Sequence, residues 1–246
     1  MQLLKEKKVE AVFSAGSTGA TLISAITILG KQRGVIRPAI ASVLPTIDRS
    51  VILLDSGASL DVKPKVLYQF AVMGSKLAEA LFDIESPKIG LLNNGEEESK
   101  GRELEKSAFK LLNSSSLNFV GNVEGRDFAT NKVDVFVTDG FTGNVVLKTL
   151  EGTAKLQQNL ISASLKQNLF KPFLPSVKKA LKPVKDQLNP DKTNASYLLG
   201  VDGLVTIGHG SSKQEAIMNG IQYTNESIKK DFIGKFSDAI KELWVI

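Results

Sequence analysis

The chain contains no cysteine and one histidine, His209. Without thiols there is no disulfide framework, thiolate zinc site, iron–sulfur cluster or acyl-cysteine chemistry, and any histidine mechanism must run through His209. Long apolar runs are also missing. No stretch approaches the roughly 20 residues that cross a bilayer, and residues 1–10 form a charged segment rather than a secretory leader. Aromatic residues make up only 7% and do not interleave with a basic strand face, so no nucleic-acid surface is expected. Neither G-x-x-x-x-G-K-[ST] nor G-x-S-x-G occurs, and 208–213 ends in lysine where a dinucleotide fingerprint needs glycine or alanine. Nucleotide chemistry and a serine nucleophile are thereby disfavoured.

What is present is a chain of 246 residues, 42% hydrophobic and 23% charged, long enough to bury a substantial core without staples. Its net charge of +5 favours an acidic partner: nucleic acid, an anionic lipid surface, a phosphorylated metabolite or an acidic carrier protein. Short β-branched runs predict strands near 10–13, 39–44, 51–55, 88–92, 118–120, 133–138 and 204–207. Helical spacing links Leu22, Ile26 and Leu29, then Leu67, Phe70, Met73 and Leu77, with further helices over 100–112, 144–170 and 212–243. Pro64 fits a helix start, with Asp61 upstream as its cap. The alternation predicts an α/β fold with a mainly parallel sheet and helices on both faces. From Lys155 to Lys185 there are seven lysines and no acid, threaded among apolar residues, with prolines at 172, 175 and 183. This predicts a protruding helical hairpin within 145–190, kinked or shortened at Pro183.

The chemistry resides in small polar loops, each after a predicted strand: Ser14-Ala15-Gly16-Ser17-Thr18-Gly19, Asp55-Ser56-Gly57-Ala58-Ser59, Asn93-Asn94-Gly95, Asp139-Gly140-Phe141-Thr142-Gly143-Asn144 and Gly208-His209-Gly210-Ser211-Ser212. In parallel α/β sheets such loops gather at the strands' carboxyl ends, where free N–H groups and helix N-termini collect anions. One such loop is ordinarily a tight turn; five point to a site for a phosphate-like substrate. A reaction in which inorganic phosphate attacks an acyl group suits these residues, since placement and charge suffice and no cysteine is required.

At these loops, and at Arg37-Pro38-Ala39, Leu44-Pro45-Thr46, Leu54-Asp55-Ser56-Gly57-Ala58, Lys100-Gly101-Arg102-Glu103-Leu104, Gly121-Asn122-Val123-Glu124 and Val145-Val146-Leu147-Lys148, the sequence resembles the PlsX-type phosphate acyltransferases. The resemblance implies a three-layer fold like those of phosphotransacetylase and isocitrate dehydrogenase. It implies conversion of acyl-(acyl-carrier-protein) and inorganic phosphate to acyl phosphate for phospholipid synthesis, with no cofactor and no metal. Lys100 and Asn144 are the implied catalytic residues. Lys100 would neutralise phosphate or assist the departing thiolate; Asn144 would bond the thioester carbonyl or the phosphate, or else cap a helix. Substrate binding falls to Ser14, Gly16, Ser17, Thr18, Asn93, Asp139, Gly140, Gly143 and His209. Asp139 either orients Lys100 or its neighbours or braces its own loop.

The family pattern has threonine where Glu96 stands, and a carboxylate there repels phosphate if it faces the site. The family also opens with a segment of several tens of residues carrying Asp-Ala-Met-Gly-Gly-Asp, so the whole chain, 1–246, is expected to be one domain shortened at its N-terminus. Leu169, Phe170, Phe173 and Leu174 at the hairpin tip are expected to touch an anionic membrane, and the chain to pair as a homodimer, cytoplasmic and peripherally membrane-associated. The alternatives are an impaired homologue that binds a lipid surface or a subunit, and a phosphotransacetylase acting on acyl-CoA.

Overall fold

The computed structural model describes residues 1–165, 174–187, 195–210 and 212–230, together with 232, 234, 236 and 240. Eight strands form one sheet in the order β1-β8-β7-β2-β3-β6-β4-β5. They are β1 (Ala11–Ser14), β2 (Ala39–Pro45), β3 (Ser50–Leu54), β4 (Ile89–Leu92), β5 (Phe119–Val123), β6 (Val135–Val137), β7 (Ser196–Leu199) and β8 (Leu204–Ile207). The helices are α1 (Gln2–Lys5), α2 (Thr18–Ile28), α3 (Pro64–Phe82), α4 (Glu103–Asn113), α5 (Gly140–Leu165), α6 (Leu174–Gln187) and α7 (Gln214–Lys229). Seven strands match the expected runs; β7 was not among them.

The sheet is mixed in a specific way. β1 and β8 are parallel, and β3, β6, β4 and β5 form a second parallel group. The groups are joined through β7 and β2, each antiparallel to both of its neighbours, so they run in opposite directions. One row crosses all eight strands through Phe13, Thr206, Tyr197, Ala41, Leu54, Val137, Leu91 and Asn122. That row falls at or next to the last residue of β1, β8, β3, β6, β4 and β5. The carboxyl ends of two opposed groups therefore meet along the middle of β2.

Helices cover both faces, as the composition of each strand requires. On one face α3 buries Leu67, Phe70, Met73 and Leu77 against Ile52, Leu54, Val135 and Val137, and Phe232, Phe236 and Ile240 extend the same core. On the other face α2 places Ala25 over Ile40, Leu198, Val205 and Ile207, while α5 brings Val146 and Leu147 against Val51, Leu53 and Phe136. α3 begins at Pro64 with Lys63 in the cap position and no capping side chain, so Asp61 is not the cap. Pro64 gives up an N–H that would have had no partner. α5 and α6 occupy the flanks of the expected hairpin, and Pro183 sits inside α6. Leu169, Phe170 and Phe173 lie outside the described residues, as does the side chain of Leu174.

Asp55 holds the junction together. Its carboxylate is fully buried and accepts the backbone N–H groups of Ile40 at 2.9 Å, Gly57 at 3.0 Å, Ala58 at 2.9 Å and Ser59 at 2.7 Å. Burial pushes this carboxyl up, and the four backbone donors pull it back. The start of α5 lies directly on this loop: Gly140 donates to the Ser59 carbonyl at 2.8 Å, and a side chain at Gly143 would collide with the Asp55 carbonyl oxygen. Asp55→Ala strands four donors and Gly143→Ala forces two segments apart. Each is expected to lower stability by about 3 kcal/mol or more, read as a lower urea midpoint by circular dichroism.

Candidate active site

A cavity of about 450 Å³ opens between α2 and α5. Its lining draws on both strand groups: Phe13, Thr18 and the Gly208-His209-Gly210 turn from the β1/β8 side, Ser56, Gly57, Asn144 and Lys148 from the β3/β6 side. Gly57 adopts φ +142°, which glycine alone adopts readily, and a Cβ there would stand 3.6 Å from Asn144. The bare backbone of Gly57 thus faces the Asn144 side chain.

Three buried or half-buried hydroxyls cross the sheet beside this cavity. Ser42 lies 2.7 Å from Ser56 and 2.9 Å from Ser196, while Ser56 donates to the Ile40 carbonyl at 3.0 Å. Their row combines β2, the loop after β3 and the first residue of β7, segments far apart in the chain. At the β1–α2 turn, Ser14 pairs with Thr21 at 2.9 Å and Ser17 caps α2 by accepting from Ala20 at 3.4 Å. Ser14, Gly16 and Ser17 therefore build the turn, and Thr18 is the member that reaches the cavity.

A second cavity, about 550 Å³, is lined by Asn93, Asn94, Gly101, Arg102, Glu105, Thr142 and Val146. The two cavities flank opposite faces of α5: Asn144, Leu147, Lys148 and Glu151 line the first, Thr142 and Val146 the second. Helical geometry requires this split, since positions 144, 148 and 151 share a face that 142 and 146 do not.

Behind Arg102 and Thr142 of the second cavity, Asp139 is nearly fully buried. It accepts the Thr142 N–H at 2.7 Å and the Thr142 hydroxyl at 3.1 Å, and it pairs with Arg102. Arg102 also pairs with Glu105. Glu105 and Asp139 together hold the guanidinium well above its ordinary value. The partner of Asp139 is thus Arg102 rather than Lys100. Asp139 accepts from the first turn of α5, and Asn144, a turn inside the helix, lines the first cavity.

Lys100 stands apart from Asn144. Its ammonium is half exposed, 4.0 Å from Glu97, and its carbonyl accepts from Asn93 at 3.2 Å, so Asn93 fastens the loop that carries Lys100. Glu96 is turned to Lys132 at 2.9 Å and Arg126 at 3.9 Å, which neutralise it. The structure therefore gathers Thr18, Asn144 and His209 at one cavity and places Asn93 and the Lys100 loop beside the other. Arg102, Lys148, Glu151 and the serine row were not among the expected site residues. Lys148 and Glu151 were recoverable in principle, because they follow Asn144 at helical spacing.

With this geometry in view, comparisons with known proteins give a consistent answer. The family described as fatty acid synthesis protein matches residues 1–235. The phosphate acyltransferase of Thermosipho melanesiensis is 41% identical over 245 residues, covering 99% of this chain and 73% of that protein. That of Dictyoglomus turgidum is 43% identical over 246 residues, with the same two shares. Among solved structures, a branched-chain phosphotransacylase from Enterococcus faecalis V583 superposes with TM-score 0.60 at 14% identity, over 92% of this chain and 76% of that one. The EutD phosphotransacetylase from Staphylococcus aureus gives TM-score 0.57 at 16% identity, over 96% of this chain but only 65% of that one. These structures share the fold. The relatives at 41% and 43% identity, matched along nearly the whole chain, establish that it belongs to the phosphate acyltransferase family.

Proposed function

We propose that the chain transfers an acyl group from acyl-(acyl-carrier-protein) to inorganic phosphate, releasing acyl phosphate and free carrier protein. The observation that carries this reading is the first cavity, which Asn144 and the Gly208-His209-Gly210 turn of the opposed strand group line together. A phosphate oxygen attacks the thioester carbonyl carbon. A C–O bond forms, the carbonyl oxygen takes up negative charge, and its return to C=O breaks the C–S bond and expels the thiolate. Asn144 donates to that developing oxyanion, a role worth most in the transition state. Thr18 and the Gly208-His209-Gly210 turn, both on the cavity wall, orient substrate oxygens. Lys100 stands beside the second cavity, across α5 from Asn144, so its charge suits docking of the acidic carrier rather than the departing thiolate. The thioester is already activated, so no nucleotide enters.

The net charge of +5 suits an acidic carrier protein. The outer half of α5 exposes Leu156, Leu160 and Ile161, a stripe that suits a second copy of the chain. The sequence of 169–174, apolar residues with Lys166 and Lys171 among and beside them, suits an anionic membrane. Among the described residues no helix is long and apolar enough to cross one.

Purified protein given acyl-carrier thioester and phosphate is expected to form acyl phosphate, trapped as hydroxamate, without added nucleotide; an ATP requirement contradicts the mechanism. Preference for acyl-CoA over the carrier thioester would instead favour the phosphotransacetylase reading. Asn144→Ala is expected to cut kcat by about 100-fold with little change in urea midpoint, whereas Lys100→Ala is expected to raise the acyl-carrier KM more than it lowers kcat. Near-normal turnover in folded Asn144→Ala removes that residue from the chemistry. Phe173→Ser combined with Leu174→Ser is expected to abolish co-flotation with anionic vesicles while leaving soluble turnover intact. Leu156→Ser with Leu160→Ser is expected to halve the mass measured by light scattering.

A further inference from the structure

The reaction needs a cation where the phosphate sits, and the first cavity supplies one that the family resemblance did not assign. Among the described residues that line this cavity, Lys148 is the only lysine or arginine. It follows Asn144 by one helical turn on the same face of α5, so both side chains serve the same space. Its ammonium is held from two sides: Glu151 accepts at 2.8 Å from the next turn, and His209 Nε2 lies 3.1 Å away on the turn after β8. An ammonium has only donors, so this contact requires the His209 Nε2 lone pair to accept. Lys148 thus bridges the two opposed strand groups at the cavity. Two of its three N–H donors are spent on these partners, which leaves the third for an anion.

We propose that Lys148 binds the inorganic phosphate that attacks the thioester, with Glu151 and His209 holding its ammonium at the cavity. The inference rests on the acyl-phosphate reading and deepens it. A carrier's prosthetic arm also presents a phosphate group, as a diester, so the chemistry recognised is a phosphate oxygen and the experiment must separate the two sources. Bound phosphate and the Asn144 amide would then be reached from adjacent turns of one rigid helix, which fixes nucleophile and oxyanion donor relative to each other.

The test uses the intact chain with Lys148→Met, which keeps the apolar stem and removes the charge, and Lys148→Arg, which restores the charge. With no acyl donor present, inorganic phosphate is expected to raise the melting midpoint of the unaltered chain saturably, beyond a sodium chloride control of equal ionic strength. Lys148→Met should abolish that rise, and Lys148→Arg should recover part of it. In turnover, Lys148→Met should raise the phosphate KM by about tenfold or more and leave the donor KM within twofold. A phosphate response unchanged in Lys148→Met overturns the inference, as does a rise confined to the donor KM or no phosphate response in the unaltered chain. If phosphate binds through Lys148 and no acyl phosphate forms, the binding assignment stands and the proposed reaction fails.

Discussion

The bonding of one buried carboxylate sets the geometry of everything around it. Asp55 gathers four backbone N–H groups, one from the start of β2 and three from the loop that follows its own strand. A buried carboxylate without such donors would carry a large desolvation cost; with them, it joins β2 to the end of β3 in a single arrangement. Because Gly140 and Gly143 have no side chains, the start of α5 settles onto that loop. The direction of α5 then decides where Asn144 and Lys148 stand. Substitutions that never touch substrate can therefore disable the site by shifting this helix.

The second constraint is topological. A sheet of one parallel group collects its loops along one edge, whereas here two groups approach from opposite directions and end on one row through Ala41. Loops from both groups then face each other across β2, and the cavity lies in the gap between the helices that cover the two halves of that face. Such an arrangement brings donors to a substrate from two sides. It suits a reaction in which nucleophile and acyl donor must be held separately until they meet. The phosphotransacetylase and phosphotransacylase structures share this fold despite 16% identity or less.

Much of this was legible in the sequence because the physics is local. Val51 to Leu54 and Val135 to Val137 are β-branched or apolar runs, and the strands sit there. The glycine loops were found by composition alone. β7 escaped because Ser196-Tyr197-Leu198-Leu199 contains no β-branched residue and its burial comes from neighbouring strands. The reversal of strand direction at β2 was not legible, since periodicity reports which face a residue occupies and not which way its neighbour runs. The serine row was hidden for the same reason: Ser42, Ser56 and Ser196 meet only through pairing of distant segments. Asp139 was found, but its partner Arg102, the residue before α4, meets it only through the tertiary fold.

The central claim is that a single catalytic cleft is assembled across β2 from both strand groups. Hydrogen exchange read by mass spectrometry, with and without phosphate and an unreactive thioether analogue of the acyl donor, tests it most directly. The account predicts slowed exchange together in 16–20 and 208–210 from one group and in 57–59 and 141–148 from the other. Protection confined to one group, or to the 93–105 segment beside the second cavity, would contradict it.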